Sequence, residues 1–80
     1  MKEVISVTAY FIGLPGSDDD ELCDSIFKKY GGKWIGSGTY LGGSEPERDV
    51  QYDVPSANVT ACKKALKDAG FRCEVRGDVV

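Results

Sequence analysis

The sequence contains no histidine, so it lacks the commonest general base and the commonest side-chain metal ligand. Its three cysteines, Cys23, Cys62 and Cys73, form no CxxC pair. An odd, scattered set is not a disulfide framework, and none of the three has a histidine to activate it. No apolar run approaches the ~18 residues that span a bilayer. The first residues, Met1-Lys2-Glu3-Val4, lack the charged, apolar and small-residue order of a signal peptide. A cytoplasmic protein with no membrane association is expected. A basic excess is missing too. Ten lysines and arginines face thirteen acids, net −3, a balance that opposes direct nucleic-acid binding and suits a basic protein partner.

What is present reads as one small α+β domain over residues 1–80. Residues 3–12 alternate, with Ile5, Val7, Ala9 and Phe11 on one face and Ser6, Thr8 and Tyr10 on the other, as in a half-buried strand. Ser17 is a good N-cap for a helix, with Asp20 as a short capping-box acid. Leu22, Ile26 and Tyr30, with Cys23 and Phe27, give that helix an apolar stripe, and Gly31-Gly32 ends it. Residues 33–41 read as a strand weakened by Gly36 and Gly38, which suits an edge or a bulge. After a hairpin loop at 42–47, residues 48–54 alternate, with Val50, Tyr52 and Val54 inward and Asp49, Gln51 and Asp53 outward. A second helix follows Pro55-Ser56, with Val59, Cys62, Leu66 and Ala69 buried and Gly70 as its stop. A last strand, 71–76, points Phe71, Cys73 and Val75 inward, and residues 77–80 form a short tail. The order β-α-β-β-α-β predicts a ferredoxin-like sandwich: an antiparallel four-stranded sheet in order 4-1-3-2 with both helices on one face.

The stretch "PGSDDDELCD", residues 15–24, holds five acids in ten positions. Calcium loops alternate their ligands around a turn, whereas consecutive helical residues point in different directions. No metal or cofactor is expected. Acids in a first turn are instead stabilised by free N–H groups and the helix dipole. An exposed turn offers no pocket to separate two carboxyl pKa values, and the same acids repel a phosphate from this helix N-terminus. Cys62 and Cys73 fall on core faces and Cys23 beside one, so all three read as small core residues. No catalytic residue, and hence no enzyme, is expected.

The topology places the first helix turn and the hairpin loop at one end of the domain. Asp18, Asp19, Asp20 and Glu21 should therefore neighbour Glu45 and Glu47, with Lys28, Lys29 and Lys33 at the opposite end. Residues 1–24 carry one lysine against six acids, and residues 45–53 one arginine against four. Such segregation steers a basic partner. Trp34 and Tyr40, six apart on the Gly-rich strand and on one nominal face, are the expected apolar anchors. Partner binding is thus expected at Asp18, Asp19, Asp20, Glu21, Glu45, Glu47, Trp34 and Tyr40.

In size, acidity and topology, residues 3–76 with "GSDDDE" and "GSEPE" resemble the small acidic inhibitors made by bacteriophages, including anti-CRISPR proteins. That resemblance implies a protein without catalytic residues that occludes a nucleic-acid-binding surface or subunit interface in the host cytoplasm. "RDVQYDVPSANVTACKKALKDAGFRCEV", residues 48–75, looks similar to the RNase E activity regulator B family, also acidic inhibitors. "FIGLPGSDDDEL", residues 11–22, is similar to ACT domains, with Ser17–Glu21 inserted before the first apolar helix residue. The ACT resemblance implies the alternative of a small-molecule-binding regulatory domain that forms a homodimer. A structural subunit of a larger complex is the third reading.

Overall fold

The computed structural model describes residues 4–14 and 16–76, with the side chain of residue 76 outside that set. The expected tail at 77–80 and the expected strand start at Glu3 lie outside the described residues. The elements are β1 (Val4–Ile12), α1 (Asp18–Lys29), β2 (Lys33–Tyr40), β3 (Glu47–Pro55), a 3-10 turn at Ser56–Asn58, α2 (Val59–Asp68) and β4 (Arg72–Arg76). The strands form one antiparallel sheet in the order β2-β3-β1-β4. This is the ferredoxin-like arrangement, as the element order predicts. No described helix is long and apolar enough to cross a membrane.

Alternation decides the two faces of the sheet. Ile5, Val7 and Ala9 sit opposite Val54, Tyr52 and Val50, and all six are buried with Cys23, Phe27, Val59, Cys62 and Leu66 in one core. Phe27 stacks on Tyr52, with ring centroids 4.1 Å apart, and Phe11 meets Phe71 edge-on at 5.4 Å. Burying a side chain such as Phe27 or Leu66 stabilises the fold by about 1.5–3 kcal/mol. Among the described residues no helix covers the other face. It shows Ser6 and Tyr10 of β1 beside Asp53 and Asp49 of β3.

Both helices end as their glycines predict. Gly31 and Gly70 take positive φ, +80° and +93°. Gly32 and Phe71 then donate their N–H groups back to the carbonyls of Phe27 and Leu66, at 2.8 and 2.9 Å. These reversed bonds satisfy carbonyls that the helix leaves open.

Three side chains expected in the core are not there. Leu22 is 44% exposed. At 100° per residue it lies about 120° from the midline of Cys23 and Phe27, outside the buried stripe. Ala69 is exposed because it caps α2, and burial passes across Gly70 to Phe71. Val75 points to the helix side opposite Val7, yet is 37% exposed because β4 is a sheet edge. Cys73, on the same strand, is only half-buried.

Candidate functional site

The start of α1 forms as its sequence dictates and then takes on a second task. The hydroxyl of Ser17 accepts the N–H of Asp20 at 3.3 Å. The Asp20 carboxylate reaches back to the N–H of Gly16 at 2.8 Å, one residue before the cap. Its other oxygen accepts from Arg48 Nε at 2.7 Å. Arg48 is itself buried, and its remaining nitrogens donate to Thr39 Oγ1 at 3.2 Å and Ser37 Oγ at 3.3 Å. One guanidinium thus ties α1, β2 and β3 together. Asp20 belongs to that clamp and is not an open docking group.

The other acids of the first turn diverge, as consecutive helical positions must. Asp18 is exposed. Asp19 lines a groove of about 690 Å³ together with Glu45 and Glu47 of the hairpin. Gly13 donates its N–H to the carbonyl of Pro46 at 3.0 Å, which fixes the hairpin against the end of β1. Glu47 has Arg72 at 3.8 Å, an exposed pair. Glu21 turns toward β2, where a second groove of about 310 Å³ is lined by Glu21, Asp24 and Trp34. Of the four acids of the first turn, only Asp19 shares a groove with Glu45 and Glu47; Glu21 lines the second groove, Asp20 is held by Arg48 and Asp18 lines neither.

Trp34 and Tyr40 are both exposed, at 58% and 64%. They do not share a face. A bulge between Trp34 and Gly36 inserts Ile35 into the ladder, and one extra residue reverses the parity of everything after it. Trp34 stands opposite the inward Tyr52, on the helix side. Tyr40 stands opposite Glu47, on the open side. The nominal shared face of these two aromatics is thus corrected by a single inserted residue. Ile35 and Leu41 are exposed beside them, at 45% and 71%.

Two hydrogen-bonded groups stiffen the core below the Trp34 groove. Tyr52 donates its hydroxyl to the Asp24 carboxylate, and Lys28 pairs with the same carboxylate at 2.9 Å. The Tyr52 hydrogen bond holds Asp24 below its ordinary pKa, with Lys28 adding to it against the effect of burial. Burial, followed by that same bond, raises the Tyr52 phenol. Burial also pushes the Cys23 thiol up to about 12 and the Cys62 thiol up to about 11. Both stay protonated and un-nucleophilic at neutral pH. Among the described residues, no group of three His, Cys, Asp or Glu side chains could hold a metal ion.

The sequence reading missed Arg48 as part of this site. Its position was legible, because it shares the inward parity of Val50, Tyr52 and Val54. The charge masked the signal, since arginine is seldom buried without a partner and the partner, Asp20, lies 28 residues away.

No protein-family model matches this chain, and no curated protein does.

Proposed function

We propose that this domain is a non-enzymatic inhibitor or modulator that binds a protein partner through its acidic end and docks on lysines or arginines that the partner uses for nucleic acid. The observation that carries this reading is the groove in which Asp19 of α1 meets Glu45 and Glu47 of the hairpin. Three exposed carboxylates from two elements, of which among the described residues only Glu47 has a cation beside it (Arg72, at 3.8 Å), attract a basic surface and speed its approach. Exposed Trp34 and Tyr40 supply apolar contact of the kind that anchors interfaces. The resemblance to small acidic phage inhibitors extends the proposal to an anti-defence role of the anti-CRISPR kind, acting in the host cytoplasm on a nucleic-acid-binding complex.

The test changes Asp18, Asp19 and Glu21 to serine and keeps Asp20, because Asp20 holds Arg48. Wild type and variant are compared as baits in a bacterial lysate, and the affinity for each captured protein is then measured at low and high salt. Weaker, less salt-sensitive binding by the variant is expected. Unchanged partners at unchanged affinity would remove electrostatic docking as the mechanism.

A further inference from the structure

The sheet has two edges, and β2 is the unguarded one. From residue 34 to residue 44 the chain carries no charge, and among the described residues β2 hydrogen-bonds to β3 alone. Lys33 and the bulge at Ile35 blunt its first part, as edges are commonly blunted. Gly36–Tyr40 stays regular: each residue is in step with β3, from Gln51 to Glu47. On the open face the Asp49 carboxylate leans over this strand. Its Oδ1 lies 3.0 Å from where a Cβ on Gly38 would stand, so glycine lets the carboxylate lie here without the shift of a few tenths of an ångström that a side chain would force. Among the described residues no ion pair or side-chain hydrogen bond engages Asp49 or the Glu21 carboxylate on the opposite face. The open face of this edge thus carries an uncompensated carboxylate at Gly38, while on the helix face Arg48 bonds Ser37 and Thr39 and Glu21 lines the same groove.

We infer that Gly36–Tyr40 is a docking strand for an extended segment of a basic protein, which adds a fifth strand to the sheet and reaches Asp49 with a lysine or arginine lying across Gly38. An added strand sits one inter-strand spacing, about 4.8 Å, beyond β2. Because Asp49 already overhangs Gly38, a long basic side chain spans the remaining gap. Main-chain bonds supply affinity and alternate side chains supply selectivity, as in other strand additions. A second copy of this chain fits less well, since its own β2 offers a single cation, Lys33, outside the regular segment. The inference rests on the proposal that the partner is basic, and it moves the point of contact from the acidic end to the edge.

The probe is a blocked heptapeptide in which lysine alternates with valine, titrated into 15N-labelled protein and followed in parallel by fluorescence anisotropy. The largest amide shifts should fall on Gly36–Tyr40. Methylating alternate peptide nitrogens should abolish binding, and Asp49→Asn should weaken it about fivefold. Gly36→Lys, at a position where a Cβ meets nothing within 4 Å, should block binding and leave the melting temperature within a few degrees of wild type. Equal binding of a peptide with glutamate in place of lysine overturns the inference. So do concentration-dependent β2 shifts without peptide, which make a second copy the occupant. Shifts confined to Asp18, Asp19 and Glu45 also overturn it, yet leave the acidic docking proposal standing. Absence of peptide binding overturns it as well, and the serine variant then decides independently whether acidic docking itself survives.

Discussion

The two edges of the sheet are built to opposite rules. β4 is five residues long, RCEVR, and among the described residues pairs only with β1. On the open face it shows Arg72 and Glu74, and α2 lays Lys63, Lys64 and Lys67 along a groove beside it. Those charges must be desolvated before another strand can pair there, so the edge is protected. β2 is eight residues long, carries two glycines, and exposes Trp34, Ile35 and Tyr40. Its hydroxyls, Ser37 and Thr39, are turned inward to Arg48. A protein this small has little stability to spare, and an apolar open edge costs solubility. The difference points to use at β2 and protection at β4.

The largest effects come from the core that both edges share. Phe27→Ala, under the β2 side, should cost about 3–5 kcal/mol, and Leu66→Ala, on α2, about 2–5 kcal/mol. Urea unfolding should show a lower midpoint for each. A much smaller loss for one would mean that its side of the sheet is not packed as described.

Arg48→Met separates the edges. It removes the Asp20 pair and the two hydroxyl bonds that hold β2, for a loss of about 2 kcal/mol. Amide exchange should rise in Gly36–Tyr40 well before it rises in β4. Equal acceleration at both edges would show that Arg48 stabilises the whole fold and does not anchor one edge.

Acid sharpens the comparison further. Asp24, beside the Trp34 groove, has a lowered pKa because Tyr52 donates to it. A lowered folded-state pKa means stability that is present above the ordinary carboxylate range and lost as pH falls through the folded-state value. Tyr52→Phe should therefore move the acid-unfolding midpoint upward and leave the slope of stability near pH 7 unchanged. An unmoved midpoint would show that the bond does not favour the ionised form.

The smallest effect concerns thiols. Cys23 and Cys62 are fully buried and Cys73, on β4, is half-buried. An aromatic disulfide reagent should titrate one thiol in the native protein and three after unfolding. Two fast native thiols would mean that the core opens more readily on one side.

Much of the fold could be read directly. The strict alternation of Ile5, Val7, Ala9 and Phe11 gave β1 its inner face, and Ser17, Gly31 and Gly70 gave the helix boundaries, because these are local consequences of backbone geometry. Leu22 and Ala69 were misplaced for the same reason in reverse. Leu22 lies about 120° from the midline of Cys23 and Phe27, and Ala69 is the C-cap, where the helix stripe has already ended. At the site, the acids and the exposed aromatics were legible as residue types. Their grouping was not, since Asp19, Asp20 and Glu21 are adjacent in the chain yet face a hairpin, an arginine and a strand edge respectively.

The sequence by itself determined the order of the elements, the inner faces of β1, β3 and β4, the helix ends and a net acidic charge, all of which follow from periodicity, backbone freedom and composition. Tertiary structure alone decided that Arg48 would take Asp20 out of solvent, that Ile35 would bulge and send Trp34 and Tyr40 to opposite faces, and that Asp49 would lean over Gly38 at an open edge. Each of these depends on which residues meet across strands or across 28 positions of chain, and a pairing of that kind is fixed only when the sheet closes.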